Sequence, residues 1–180
     1  MATSKQEALW VLRAQCNDRE ALESLLRSVQ PALSRYLSGL VGPSDADDVL
    51  QDVLIIICRK LAWLRTPEVF RPWAYRIASR AALRHLKKEG RRSELVQDES
   101  VPLEQLPMPV DRPSAEMLES LLSVDCIPPA TRMVLVLHFQ QELTLSEVAA
   151  VLAIPLGTVK SRLASGLVAL RTQIGEKRSL

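Results

Sequence analysis

Hydrophobic residues recur along most of the chain at spacings of three and four positions, which is the period of an α-helix. No stretch shows the alternating pattern of a strand bounded by hairpin turns, and glycine is scarce. We therefore predict an all-α fold. The helices are expected over about residues 5–15, 19–38, 45–63, 73–89, 114–123 and 129–140, followed by a final pair of helices.

That final pair lies in residues 143–170. Thr144 can cap the first helix, and Glu147, three residues later, completes a capping box. Pro155 and Gly157 then interrupt the pattern, and an apolar stripe resumes on one face at Val159, Leu163, Leu167 and Leu170. A helix-turn-helix has this pattern, and its second helix lies in the major groove of DNA. An ordinary αα-hairpin shares the periodicity and stays open as an alternative.

Charged residues divide the chain into three parts, although the net charge of the whole is only +2. Residues 1–92 carry a net charge of +6, residues 93–127 of −7 and residues 128–180 of +3. The acidic part also contains four prolines and no sustained apolar period. We predict two small helical domains, over residues 1–92 and 114–180, joined by an acidic, proline-containing linker over residues 93–113. A passive surface loop has the same composition.

The predicted fourth helix carries a row of positive charge along one face. We call this the basic row; its members are Arg76, Arg80, Arg84, Lys87, Lys88 and Arg91. Because like charges at this density repel one another, an anionic partner such as the phosphates of DNA is expected to neutralise them. Aromatic residues near the start of this helix could stack on unpaired bases, namely Trp63, Phe70, Trp73 and Tyr75. The alternative is a solvated helix face over an aromatic core.

The predicted third helix presents acidic and apolar residues together on one face. We call this the α3 face; its members are Asp48, Gln51, Asp52, Ile55 and Arg59. This mixture is poor for DNA but suits a protein partner, because apolar groups give affinity and charges fix the register. Carboxylates at this spacing usually face solvent, so we predict no metal site. Cys58, in the apolar run of the same helix, is expected to be a small core residue.

Motifs of catalytic or cofactor-binding sites are missing from the sequence, which has no Gly-rich phosphate loop, Cys-x-x-Cys pair or nucleophile elbow. We therefore expect no enzyme activity, no cofactor and no metal. His138, within an apolar helix, is expected to be a satisfied core or boundary residue. The three cysteines have no paired spacing, and there is no signal peptide or bilayer-spanning apolar run. These features predict a cytoplasmic protein without membrane insertion.

Three stretches of the chain, residues 45–60, 70–86 and 143–163, resemble in this order parts of the extracytoplasmic-function (ECF) sigma factors. These members of the sigma-70 family are two-domain subunits that direct bacterial RNA polymerase to promoters. The resemblance covers nearly the whole chain except the linker. It implies that the α3 face docks on the largest subunit of the core polymerase. It also implies an anti-sigma factor that occludes the polymerase-binding faces.

The resemblance further implies two surfaces for promoter DNA. The loop and helix over residues 64–84, with the lysines that follow, would capture and melt the minus-10 element. The residues involved would be Arg65, Trp73, Arg76, Arg80, Arg84, Lys87 and Lys88. The minus-35 element would be read by Thr158, Lys160, Ser161, Arg162 and Ser165. The acidic linker would thread toward the active-site and RNA-exit region of the polymerase.

Two features depart from the family pattern. At Arg80 better-known members often carry a polar amide that helps to hold an extruded base, so we expect a different minus-10 preference. The outward face of the recognition helix, with Ser161, Ala164, Ser165 and Val168, is nearly uncharged. We therefore expect weaker minus-35 binding than usual, or a site that depends on apolar contacts to thymine methyl groups.

Two other functions fit part of the pattern. A stand-alone helix-turn-helix regulator would form a dimer on palindromic DNA, but it leaves the basic row and the α3 face unexplained. A sigma-like decoy would bind polymerase or an anti-sigma factor without initiating transcription. Run-off transcription with core polymerase separates both from a sigma factor, which alone gives a promoter-dependent transcript.

Overall fold

The computed structural model describes residues 4–88 and 127–177, and all regular secondary structure within these ranges is helical. The predicted all-α fold is therefore confirmed. The predicted linker, the predicted helix over 114–123, and Arg91 lie outside the described residues, and the domain boundaries at 92 and 114 remain predictions. The chain divides into two compact units, Met1–His85 and Leu86–Leu180.

Four α-helices follow one another through the first described range. They are α1 (Ser4–Gln15), α2 (Arg19–Val41), α3 (Pro43–Lys60) and α4 (Phe70–Lys88), with 3₁₀ turns over Leu61–Trp63 and Pro67–Val69 before α4. Asp18 caps α2 by accepting a hydrogen bond of 3.0 Å from the Ala21 N–H. The helix α2 packs against both α1 and α3, so it forms the centre of this unit.

The break between α2 and α3 is Gly42 alone, rather than the longer interruption expected from residue 39 to residue 43. Gly42 adopts a φ of +92°, a conformation that L side chains rarely reach. Pro43 follows as the first residue of α3, where its missing N–H removes no helical hydrogen bond. The start of α4 also differs from the prediction, since this helix begins at Phe70 rather than at Trp73.

The core of the first unit contains two tyrosines besides its aliphatic side chains. Tyr36 and Tyr75 are both 1% exposed, and their rings meet edge to face with centroids 5.2 Å apart. The Tyr36 hydroxyl lies 2.7 Å from the Ser79 hydroxyl, which in turn donates to the Tyr75 carbonyl oxygen at 2.8 Å. Burial raises the pKa of Tyr36, so its hydroxyl is protonated at neutral pH and can take part in this hydrogen bond. These contacts fix α4 against α2.

Glu7 and Arg71 form a buried ion pair that joins α1 to the first turn of α4. Glu7 is only 3% exposed. Its carboxylate accepts hydrogen bonds from Arg71 Nη2 at 2.6 Å and from Arg71 Nε at 2.8 and 3.0 Å. Ser28 of α2 donates a further hydrogen bond of 3.3 Å to the same carboxylate. A charge this deeply buried is tolerated only because it is paired and hydrogen-bonded.

In the second described range, α5 (Pro129–Leu135), α6 (Leu145–Leu152) and α7 (Leu156–Lys177) enclose an aliphatic core, and a π-helical turn over Val136–Gln140 follows α5. Gly166 of α7 faces α5 directly. A Cβ atom at Gly166 would lie 2.6 Å from Leu135 Cδ1 and 2.8 Å from Thr131 Cγ2. Glycine therefore allows a helix approach that any side chain would block. The core at this crossing contains Ile127, Leu135, Leu167 and Leu170.

The predicted helix-turn-helix is present as α6, a short turn and α7. Its capping box is confirmed: Glu147 N–H donates to Thr144 Oγ1 at 3.2 Å, and Thr144 N–H donates to the Glu147 carboxylate at 2.8 Å. The turn begins at Ala153, which adopts a left-handed φ of +55°. Gly157, expected to interrupt the pattern, lies within α7. His138 is satisfied as predicted, since Nδ1 donates to the Leu143 carbonyl oxygen at 2.7 Å.

We expect Glu7→Gln to lower the free energy of unfolding of the first unit by about 3 kcal/mol. The amide keeps the shape of the side chain but leaves the Arg71 guanidinium without its counter-charge. The matched control is Glu23→Gln, which removes an exposed ion pair with Arg27 and is expected to cost less than about 0.5 kcal/mol.

Urea unfolding followed by tryptophan fluorescence measures both variants selectively. The three tryptophans of the chain are Trp10, Trp63 and Trp73, and all of them lie in the first unit. Equal costs for Glu7→Gln and Glu23→Gln would contradict a stabilising role for the buried pair.

We expect Ala153→Gly to stabilise the second unit by about 0.5–1 kcal/mol, because a left-handed φ strains an L residue by more than the extra chain entropy of glycine costs. Ala150→Gly, within α6, is the matched control and is expected to destabilise it by about 1 kcal/mol. Hydrogen exchange of the α6 and α7 amides measures both effects. Faster exchange in both variants would contradict the strained turn.

Candidate functional site

The α3 face is solvent-exposed along its whole length, as the periodicity predicted. Asp48, Gln51, Asp52, Ile55 and Arg59 are all exposed. The opposite side of the helix, with Val49, Val53 and Ile57, is buried. Ile55 keeps 42% of its surface exposed at the centre of this polar row. The face therefore offers an apolar group flanked by charges of both signs, which is the arrangement of a protein-binding surface.

Two residues beside the α3 face differ from the sequence analysis. Cys58 is exposed rather than part of the core, so the prediction for it is wrong. The apolar run that contains it is longer than the one face of a helix that can be buried, and Cys58 falls on the outer side. His85 of α4 lies beside the first turn of α3, with Nε2 3.2 Å from Asp45 Oδ2. The sequence pattern of α4 alone does not indicate this contact with α3.

The basic row of α4 is exposed at most of its described members. Arg80, Arg84, Lys87 and Lys88 are exposed, whereas Arg76 is half-buried. The opposite face is buried at Tyr75, Ala78, Ala82 and Leu86, with Leu83 half-buried at its margin. The exposed cations lie on successive turns of one helix, so they can follow a line of phosphates.

The four aromatic residues near the start of α4 have different surroundings. Trp63 is 83% exposed, at the end of the first 3₁₀ turn. Trp73 is half-buried, with its ring centroid 6.1 Å from that of Phe70. Phe70 and Tyr75 are core residues, each 1% exposed, so the expectation that they could stack on bases is wrong. Trp63 and Trp73 are the rings that a base could reach.

We call residues 61–71 the capture segment; it runs from the end of α3 into the first turn of α4. Leu61, Leu64 and Phe70 are buried and anchor it to the core. The residues between these anchors are directed outward and exposed: Trp63, Arg65, Thr66, Glu68 and Val69. The segment thus combines a large exposed ring, a cation and backbone outside regular helix, which are the groups that bind single-stranded nucleic acid.

Over residues 156–170, the candidate recognition helix α7 presents few exposed polar groups to solvent. Lys160 is exposed, whereas Thr158, Ser161, Arg162 and Ser165 are half-buried. The hydroxyls of the two serines donate hydrogen bonds of 3.1 Å to carbonyl oxygens of their own helix. Each hydroxyl oxygen still has acceptor capacity for a base N–H.

The prediction is wrong for one of the residues that we expected on the outward face of α7. Ala164 is only 9% exposed and belongs to the buried side, whereas Val168 is 54% exposed as expected. The described surface of α7 therefore has little side-chain charge, in agreement with the sequence analysis.

Neither a metal cluster nor a single membrane-spanning helix occurs in the described residues. No group of three or more His, Cys, Asp or Glu in these ranges could hold a metal ion. No single helix there is long and apolar enough to cross a membrane. Two consecutive helical stretches, Leu145–Leu152 and Leu156–Leu170, have that length and composition only when they are counted together. The chain bends by 107° at the turn between them.

Comparison with protein families matches both parts of the chain. The family model for Sigma-70 region 2 matches residues 25–92, and the model for Sigma-70 region 4 matches residues 124–172. The first match contains the α3 face, the capture segment and the basic row. The second match contains the helix-turn-helix.

Curated relatives are similar to this chain over nearly its full length. The ECF RNA polymerase sigma-E factor of Escherichia coli K12 is 28% identical over 174 residues, which cover 91% of each chain. The ECF RNA polymerase sigma-E factor of Haemophilus influenzae is 29% identical over 174 residues, covering 91% of this chain and 92% of that protein.

Solved structures share the fold. CnrH in complex with the cytosolic domain of CnrY matches with a TM-score of 0.64 at 21% identity, covering 95% of this chain and 98% of that one. The sigma factor RpoE in complex with the anti-sigma factor NepR from Bartonella quintana matches with a TM-score of 0.63, also at 21% identity, covering 85% of this chain and 96% of that one.

Proposed function

Because the chain belongs to the sigma-70 family, as an RNA polymerase sigma factor of the ECF type, we propose that its described surfaces divide the steps of promoter use among them. A sigma factor directs core polymerase to promoters and initiates transcription there. It acts by binding, so we assign no reaction, cofactor or metal to the chain itself. We also assign it to the cytoplasm, where bacterial polymerase and promoter DNA meet.

The α3 face is the proposed surface for core polymerase. Its support is the exposure of Ile55 between carboxylates and a guanidinium on one side of a helix whose opposite side is buried. An apolar anchor of this kind gains affinity by desolvation, and the surrounding Asp48, Asp52 and Arg59 set orientation. The same face suits an anti-sigma factor, which would block polymerase by occupying it. The complexes of CnrH with CnrY and of RpoE with NepR support such a partner.

The capture segment and the basic row form the proposed surface for the minus-10 element. The single observation that carries this proposal is their continuity: exposed Trp63 and Arg65 lie in the segment that runs directly into α4, whose outer face bears Arg80 and Arg84. Stacking a base on an aromatic ring contributes about 1–3 kcal/mol. Phosphate binding by the basic row adds a salt-dependent term. Together these can offset the stacking lost when a promoter is melted, without ATP.

The helix α7 is the proposed reader of the minus-35 element, through Thr158, Lys160, Ser161, Arg162 and Ser165. Its described surface supplies few charges, so we propose that it contributes modestly to affinity. Exposed Val168 and the serine hydroxyls are suited to thymine methyl groups and base edges. This weakness also favours a second candidate function, a sigma-like decoy that binds polymerase or an anti-sigma factor without initiating transcription.

The decisive experiment mixes the purified chain with bacterial core polymerase. Co-elution in gel filtration tests the polymerase-binding function, and run-off transcription on promoters selected by the holoenzyme from bacterial genomic fragments tests initiation. Co-elution with promoter-dependent transcripts supports the sigma factor. Co-elution without transcripts supports the decoy. Failure to co-elute would contradict both.

Charge reversal of the α3 face by Asp48→Lys with Asp52→Lys is expected to weaken core-polymerase binding at least tenfold, because charge pairs across an interface contribute about 1.5 kcal/mol or more each. The control Glu23→Lys reverses an exposed charge on α2 and is expected to change the affinity by less than about twofold. Titration of labelled protein with core polymerase measures both. Equal affinities for the two variants would contradict the assignment of the α3 face.

Replacing Arg80 and Arg84 together by Ala is expected to reduce open-complex formation more than tenfold while core-polymerase binding stays within about twofold. The two cations neutralise phosphates of the separated strand, so the slope of log affinity against log salt for single-stranded DNA should decrease by about 1.4. Permanganate footprinting measures strand opening. Arg27→Ala, on α2, is the control and should leave all three quantities unchanged.

A further inference from the structure

Two side chains of α1 contact the capture segment, one at each end. At its beginning, Gln15 Nε2 donates hydrogen bonds of 2.9 Å to the carbonyl oxygens of both Leu61 and Leu64. At its end, Glu7 holds Arg71 through a bidentate ion pair with a shortest distance of 2.6 Å. The helix α1 also packs along both 3₁₀ turns of the segment. The segment is therefore fastened to α1 at both ends, while its middle is exposed.

The backbone of the capture segment leaves regular α-helix between Leu61 and Phe70 and forms two 3₁₀ turns. A bond of 3.0 Å from Leu64 N–H to the Leu61 carbonyl ends the first turn, and bonds from Val69 N–H to the Thr66 carbonyl, at 3.2 Å, and from Phe70 N–H to the Pro67 carbonyl hold the second. The chain between them is extended at Leu64 and Thr66. Exposed Arg65 lies in this extended part. Side-chain contacts from outside the segment therefore matter more for its conformation than in a regular helix.

Gln15 meets a specific chemical need at this position. The Leu64 carbonyl lies outside regular helix, and the Leu61 carbonyl accepts one hydrogen bond from Leu64 N–H and has a second lone pair for another donor. The Gln15 amide nitrogen carries two hydrogens, and both are used on two carbonyl oxygens that flank Trp63. Both partners are acceptors only, so the nitrogen end of the amide must face them. One neutral side chain thus fixes the two peptide groups between which the exposed ring is held.

We propose that α1 preorganises the capture segment for single-stranded DNA, with Gln15 as the positioning residue at its Trp63 end and the Glu7–Arg71 pair as the second attachment. Glu7 is buried and both Gln15 amide hydrogens are used on carbonyl oxygens, so we assign neither residue a direct contact with DNA. Their effect on DNA binding passes through the position of Trp63 and Arg65. A segment already held in its bound form loses less conformational entropy when it captures a strand. This inference rests on the proposed function of the segment in binding the minus-10 element.

The test uses Gln15→Met in the full chain, because methionine keeps the length of the side chain and lacks both donors. Gln30→Met, at an exposed position of α2, is the matched control. Hydrogen exchange of the amides of residues 62–71 is expected to be at least tenfold faster in Gln15→Met, with exchange in α2 unchanged. Gln30→Met should match the wild type.

The same variants are then assembled with core polymerase and titrated with a fluorescent 20-nucleotide single strand. This strand carries the non-template minus-10 sequence of a promoter selected by the wild-type holoenzyme. We expect Gln15→Met to bind the strand about five- to tenfold more weakly while its affinity for core polymerase is unchanged. A residue that only stabilised the unit would lower both affinities together.

Two further variants keep the inference testable if Gln15→Met unfolds the unit, which tryptophan fluorescence would reveal. Gln15→Asn retains the amide but is too short to reach both carbonyls, and should show an intermediate effect on exchange and strand binding. Gln15→Lys retains N–H donors and should restore the protection of residues 62–71.

The inference is overturned if exchange in the capture segment is unchanged in Gln15→Met, or if exchange increases and strand affinity does not fall. If instead the proposed function is wrong, the wild-type holoenzyme itself would not bind the strand or open a promoter. The effect of Gln15→Met on hydrogen exchange in the capture segment would still be seen.

Discussion

The buried carboxylate of Glu7 is the contact on which the first unit depends. It lies where α1, α2 and α4 meet, and it binds Arg71 of α4 and Ser28 of α2. An unpaired carboxylate there would be costly, so the three helices are stable together in the arrangement that satisfies it. Because α4 begins next to Arg71 and carries the basic row, this pair also sets which side of α4 faces solvent. The Glu7–Arg71 pair, which has no proposed contact with DNA, thus helps to set the geometry of the proposed DNA-binding surface on α4.

Sequence patterns predicted the features that depend on one helix alone. The α3 face and the capping box at Thr144 follow from spacing, because residues three and four apart share a helix face in any tertiary structure. Contacts between helices could not be predicted in this way. Glu7 and Arg71 lie 64 positions apart in sequence. Gly166 has no local signature either, since its importance depends on the side chains of α5 across the interface.

The wrong predictions share a physical cause, which is that residue type indicates a preference for burial but not the side of a helix on which a residue falls. Phe70 fills the core rather than the DNA surface because it forms the first residue of α4 instead of belonging to the loop before it. Tyr75 falls on the side of α4 opposite the basic row, which is buried. Cys58 is exposed because the apolar run of α3 is wider than its buried face. Pro155 and Gly157 located the turn after α6, but the left-handed φ falls on Ala153, where the packing of the flanking helices can compensate for the strain.

Few charged side chains lie on residues 156–170 of α7, which is a disadvantage only for a protein that binds DNA alone. If the first unit captures a strand as proposed, the second unit of the same holoenzyme meets the promoter at an effective concentration on the order of 1 mM. A minus-35 site with a Kd of about 1 mM would then be half-occupied. Under that condition Lys160 and the serines of α7 need only favour one register of the DNA. Discrimination among promoters would then depend chiefly on the bases captured beside Trp63. The capture segment of the first unit, rather than α7, would therefore be the part that must be preorganised.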